Sequence, residues 1–202
     1  MSGGSGVRWL LMLGFGLSLL VVVGVLVHDR LAAPVAPPPT TEVGDGGVTA
    51  RQAFAPAAEL AAQWQEDAHL AAISGRWSAV GMQPGDQVEW TFQFFSPSTQ
   101  RLAIIVAVGE EARVLREGLS PYMVPTFSTE KWRVDSDEAL RTWWESGGST
   151  VVARRPDTDL AVQLHMPDGG GDHPIWTVVG WVVGTRSAFT VVVDATSGAQ
   201  VE

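Results

Sequence analysis

The stretch QVEWTFQFF, residues 87–95, decides how the chain is read. Trp90, Phe92 and Phe94 occupy every second position, and Glu89, Thr91 and Gln93 stand between them. Successive side chains on a strand point to opposite faces, so this is a ribbon with one apolar and one polar side. Such a ribbon suits an antiparallel sheet that buries one face and leaves the other to water. Turn formers bracket it, Pro84, Gly85 and Asp86 before and Ser96, Pro97, Ser98 and Thr99 after; RLAIIVAV at 101–108 then supplies the next strand and RWSAVGM at 76–82 the preceding one. Further upstream, Leu60, Ala61, Trp64, Ala68 and Ala71 recur at three- and four-residue steps. That is the spacing of a helix able to cover the sheet, with Pro56 in its first turn and Gly75 at its end.

The arrangement returns later in the chain. At a constant offset of 86, Trp90 and Thr91 lie over Trp176 and Thr177, residues 104–106 over 190–192, and 114–115 over 200–201. Asp135 and Glu138 have capping-box spacing, Ala139, Leu140, Trp143 and Trp144 make an apolar stripe, and Gly147 and Gly148 stop the helix. STVVARR, DLAVQLHM, IWTVVGWVV and FTVVVDA read as strands. The expected fold is α+β, two tandem units of a helix packed on an antiparallel sheet, 52–118 and 135–202, with a connector at 119–134 that carries Pro121 and Pro125. In IWTVVGWVV both faces are apolar, and Trp176 and Trp181 point to opposite sides. This strand needs cover twice, from its own helix and from either the other unit or a protein partner, which makes the two tryptophans candidates for a partner-facing surface.

VDSDEALRTWWESGG at 134–148 and FTVVVDATSGAQV at 189–201 carry a resemblance. The second unit resembles the PepSY-like domains of bacterial envelope proteins, which open on an Asp-Ala-type helix and close on a strand, Asp-Ala, Thr, Gly and a final Val. The match covers 135–202 well and 56–115 weakly, because Gly109, Glu110, Glu111 and Ala112 replace the Asp-Ala-Thr-Ser-Gly signature in the first unit. The resemblance implies cystatin-like units used for binding or inhibition, in some members to restrain peptidases, and no catalytic residues.

At the other end, residues 7–27 read VRWLLMLGFGLSLLVVVGVLV, and nineteen residues pass without a charge between Arg8 and His28. As a helix at ~1.5 Å per residue that run spans roughly the ~30 Å hydrocarbon layer. Its length favours an uncleaved signal anchor (1–30, including a short tail) over a cleaved leader. Residues 31–51, rich in Pro and Gly, read as a linker. The expectation is a single-pass protein of the cell membrane with its C-terminal region outside the cytoplasm. Gly14 and Ser18 would allow a homodimer through the anchor. The chain has no cysteine, which removes disulfides, thiolate metal sites and a lipid-modified cysteine. Its formal net charge of −9 repels phosphate backbones, so no nucleic-acid partner is expected.

Catalytic signatures are missing. Asp194 precedes Thr196, Ser197 and Gly198, yet an aspartic protease needs a second such corner to share a proton, and a hairpin turn explains these residues. HMPDGGGDHP at 165–174 holds the one His/Asp cluster, His165, Asp168, Asp172 and His173, whose ligand types suit zinc or copper but whose three consecutive glycines suit a turn. Neither a Gly-x-Ser-x-Gly elbow nor a phosphate-cradling loop occurs. The chain is therefore expected to be no enzyme, with no cofactor and no metal. The expected function is a membrane-anchored extracytoplasmic binding or regulatory module acting on an envelope protein or peptidase. A structural subunit of an envelope complex is the alternative, and an enzyme with an unrecognised pocket the third reading.

Overall fold

The computed structural model describes residues 48–78, 89–182, 184–185 and 187–201. Their elements run α1 (Ala50–Trp64), β1 (His69–Ser78), β2 (Glu89–Ser96), β3 (Arg101–Val108), β4 (Glu111–Leu119), α2 (Ser136–Trp143), α3 (Ser149–Arg154), β5 (Thr158–His165), β6 (Ile175–Val182), β7 (Ala188–Asp194) and β8 (Gln200–Val201). All eight strands belong to one antiparallel sheet in the order β4-β3-β2-β1-β5-β6-β7-β8. Two meanders run outward from its centre, where β1 pairs with β5 from Ala72↔His165 to Ser78↔Asp159. This corrects the expectation of two tandem cystatin-like units, each with a sheet of its own. β1 and β5 are the first strands of their meanders, so each has one edge that its own half leaves unpaired. Pairing them satisfies the backbone groups of both and closes two edges.

The repeat spacing is written into the backbone. β2 and β6 are 86 residues apart at both ends, and so are the helix caps Thr49 and Asp135. In each half the indole N–H of the second strand's tryptophan donates to the carbonyl just before the cap, Trp90 to Val48 at 2.7 Å and Trp176 to Val134 at 2.8 Å. A buried indole needs such a partner, and here the bond ties the start of each helix to the middle of the sheet.

α1 begins at Ala50, earlier than the expected start at Pro56, because Thr49 and Gln52 form a capping box. Pro56 lies inside the helix, which ends at Trp64; Ala68 and Ala71 are therefore not on it. Ala50, Ala53, Ala57 and Ala61 make the buried stripe. Gly75, expected to end the helix, sits in β1 opposite Trp90, where a Cβ would come within 2.7 Å of the indole ring. STVVARR, expected as a strand, is helical from Ser149 to Arg154. Gly147, at φ 130°, kinks the chain through a π turn, Trp144–Gly148, without breaking it out. Gly148 then lets Trp143 occupy the place of a side chain, since a Cβ there would meet the indole at 2.2 Å. The β preference of Thr150, Val151 and Val152 yields to that packing.

The helices cover one face of the sheet. Phe54 of α1 lies 5.8 Å from Phe92 and 6.3 Å from Phe94, ring centre to ring centre. Trp132 stands edge-on to Phe54 at 5.7 Å and to Trp176 at 6.2 Å. One core therefore runs across both halves.

Among the described residues no helix is long and apolar enough to cross a membrane; α1, the longest, has 15 residues. The expected anchor at 7–27 lies outside the described residues. With no described element to carry them, the membrane-anchored single-pass reading, the extracytoplasmic placement and the homodimer through the anchor are withdrawn. So are the envelope-complex subunit, drawn from that placement, and the envelope protein or peptidase as partner, drawn from that placement and from the PepSY-like resemblance.

Candidate functional site

The side chains that looked most reactive in sequence are tied into local structure. His165 is part-buried on β5, with Nδ1 2.8 Å from the Met166 carbonyl and Nε2 3.2 Å from Thr177 Oγ1. Asp168, Asp172 and His173 lie exposed in the loop that follows, where the Asp172 carbonyl accepts from Lys131 Nζ at 2.5 Å. Among the described residues no group of three or more His, Asp or Glu is placed to hold a metal ion, so these four residues are not brought together as ligands.

Asp194 Oδ1 accepts from the backbone N–H of Thr196 at 2.9 Å and of Ser197 at 2.7 Å, and from Ser197 Oγ at 3.0 Å. Partial burial raises its pKa, but the Ser197 and Thr196 donors outweigh that and hold it below the ordinary carboxylate value. Gly198, at φ 78°, completes the turn. Asp67 plays the same part at the β2–β3 turn. Ser96 Oγ donates to it at 2.6 Å and Ser98 N at 2.8 Å, which lowers its pKa from 3.8 to about 2.

A shallow basin of about 450 Å³ lies where the two helix starts meet, lined among others by Thr49, Arg51, Arg133, Asp135, Asp137 and Glu138. Several of its polar groups are also engaged. Asp135 Oδ1 accepts from Ser136 N at 2.7 Å and from Arg51 N at 3.2 Å, so one carboxylate caps both α2 and α1. The Arg51 guanidinium lies 5.0 Å from the Trp132 ring centre and donates to the Trp132 carbonyl.

The larger feature is the second face of the sheet, on which no described helix packs. Strand registers align Val106, Thr91, Ser74, Gln163, Thr177 and Val192 in one row across six strands, a span of roughly 24 Å. The next row is Ile104, Gln93, Ala72, His165 and Ile175. No Asp, Glu, Lys or Arg stands in the first row, and the second is free of them from β3 to β6 and ends on β7 at Asp194, opposite Ile175; most of these side chains are part-buried, neither sealed in nor free. Charge appears around them. Arg76 pairs with Asp159 at 2.6 Å and lies 5.0 Å over the Trp181 ring, and Arg113 and Arg116 stand beyond β3.

The two candidate tryptophans thus part company. Trp176 is fully buried under the helices, while Trp181 is part-buried on the second face beneath Arg76, a residue of the first half. The neutral residues Ser74, Gln163 and Thr177 were not singled out in sequence. Their signal was available only as uncharged polar residues alternating with core residues, which any solvated strand also shows.

No family model matches the chain, and no curated protein matches it. Among solved structures, a Clostridium difficile 630 protein described as a lipoprotein is similar over 80% of this chain and 93% of its own, at 8% identity and a TM-score of 0.45. A likeness that distant adds nothing to the reading of fold or site.

Proposed function

We propose that the described domain works by binding and not by catalysis, and that it makes contact through the second face of its sheet. The observation that supports this is the distribution of charge on that face. From β3 to β6 its central rows carry hydroxyls, amides, aliphatic groups and the His165 imidazole without an Asp, Glu, Lys or Arg, and ionic side chains stand at the margin. Contact surfaces have this anatomy, because burying an unpaired charge at the centre is expensive while a charged rim stays wet. Ser74, Thr91, Gln93, Gln163 and Thr177 offer both donors and acceptors there. The helices' outer surfaces carry Glu59, Glu138, Arg141 and Glu145, the pattern of a solvated face. The non-catalytic half of the reading draws on Asp67, Asp135 and Asp194, whose carboxylates serve as caps.

A photo-crosslinking residue placed at Thr91 or Gln163, and separately at Glu59 or Glu138, tests this in the cells that make the protein. Discrete adducts are expected from the first pair alone. Adducts arising equally from both pairs, or from the helix positions only, would mean that the second face is merely solvated.

A further inference from the structure

The two margins of the sheet are unlike. β8 is two residues long, whereas β4 runs for nine, Glu111–Leu119, and its outer edge pairs with no described strand. We propose that this edge takes up an extended acidic segment of a partner polypeptide as an added strand.

A bulge shapes the recognition. Arg113 faces Val106 and Arg116 faces Ile104, with Leu115 as the extra residue between registers. The arginines are three apart in sequence but are neighbours on the second face, because their partners on β3 are two apart. Like charges so placed repel, and Val106 and Ile104 offer nothing to offset them. Among the described residues neither arginine forms an ion pair. Glu117 of the same strand is engaged elsewhere, accepting from Trp64 Nε1 at 2.5 Å and lying 3.3 Å from Arg101. Glu111, opposite Val108, shares the face two residues from Arg113 but is not within ion-pairing distance; a basic pair that no carboxylate contacts singles out acidic segments from others.

Alternate residues of β4 direct backbone N–H and C=O groups outward, the template that strand addition uses. A strand laid at ~4.8 Å would set alternate side chains beside the two guanidiniums. The matching pattern is carboxylate, apolar, carboxylate, with the apolar residue toward Val114, itself 40% exposed. Leu115 at 50% and Leu119 at 79% exposure extend the apolar margin. This surface is distinct from the central rows invoked above, and its test uses neither Thr91 nor Gln163.

The test uses the full chain and fluorescence anisotropy with three labelled heptapeptides: alternating glutamate and valine, alternating lysine and valine, and the glutamate peptide with alternate backbone nitrogens methylated. The glutamate peptide is expected to bind at least tenfold more tightly than the other two, and R113E/R116E to reverse the preference toward lysine. Should that variant fail to fold, R113Q/R116Q is expected to reduce glutamate-peptide binding at least fivefold without changing the thermal midpoint. Absence of binding to the unaltered chain, binding indifferent to both arginine variants, or equal binding of the methylated peptide would overturn the proposal.

Discussion

The two halves of the sheet share a frame and fill it in opposite ways. In the first, the fully buried residues of α1 are all alanines, Ala50, Ala53, Ala57 and Ala61, with Phe54 part-buried beside them, and the strands supply bulk through Trp90, Phe92 and Phe94. In the second, α2 supplies Leu140 and Trp143 while the strands retreat to Val178, Gly180, Val191 and Val193. At the repeat spacing Ala57 corresponds to Trp143, and Phe94 to Gly180. At this pair of positions, small on helix with large on strand has become large on helix with small on strand. Backbone geometry sets the distance between helix and sheet, and close packing then requires the facing pair to fill a fixed volume, whichever side contributes it. What stays the same is the bond that places the helix, Trp90 to Val48 and Trp176 to Val134.

The largest effect should come from forcing the first half's solution onto the second. A Cβ at Gly180 already falls 2.3 Å from the Trp143 ring, so Gly180→Phe should destabilise the domain by about 3 kcal/mol or more, or unfold it. Adding Trp143→Ala should recover much of that loss in urea unfolding, and a double variant no better than the single would break the exchange of volumes. Next come the placing bonds. Trp176→Phe and Trp90→Phe each orphan a carbonyl, at about 1–3 kcal/mol, with Trp176 the larger because its bond is buried and that of Trp90 is partly so. Equal losses would say that burial does not distinguish the halves.

Smaller again is the difference between caps. Thr49→Ala removes one helix's cap and should cost about 1 kcal/mol. Asp135→Ala removes an acceptor shared by both helices and should exceed it in the same melt. Last is the pH response of Asp67. Its folded pKa is depressed, by Ser96 first and Ser98 next, to about 2 from 3.8. Its contribution is therefore fully present above 3.8 and is lost as pH falls toward 2. Asp67→Asn should flatten the thermal midpoint over that window and leave it unchanged in shape at neutral pH; an identical acid limb in the variant would remove Asp67 from the account.

Much of this frame was legible because it is local. Alternation at Trp90, Phe92 and Phe94, the stripe through Leu140 and Trp143 and the cap at Asp135 all lie in short windows of sequence, and the offset of 86 emerges when one such window is laid over another. The joining of β1 to β5 was not, because alternation states which face of a strand is apolar and is silent on its neighbour across 80 residues or more of chain. Thr150, Val151 and Val152 misled for a different reason, since their β preference is a weak prior that a glycine slot for Trp143 overrides. The start of α1 was placed at Pro56 because proline is so common in a first turn, while the pairing of Thr49 with Gln52 was passed over. Of the candidate site, His165 is noticed in sequence as a ligand type, and the structure places it in a row between Ala72 and Ile175. Neither that row nor its six-strand neighbour exists until the strands are in register.

The continuity of the sheet through its centre underlies both the single core and the six-strand row. Hydrogen exchange of the full chain, resolved at the backbone amides of β1 and β5, tests it most directly. Amides of the ladder between Ala72 and Ser78 on β1 and their β5 partners should exchange as slowly as those of β2 and β6, through global unfolding alone. Fast exchange confined to that central ladder, with both outer meanders still protected, would show two independent units and contradict the account.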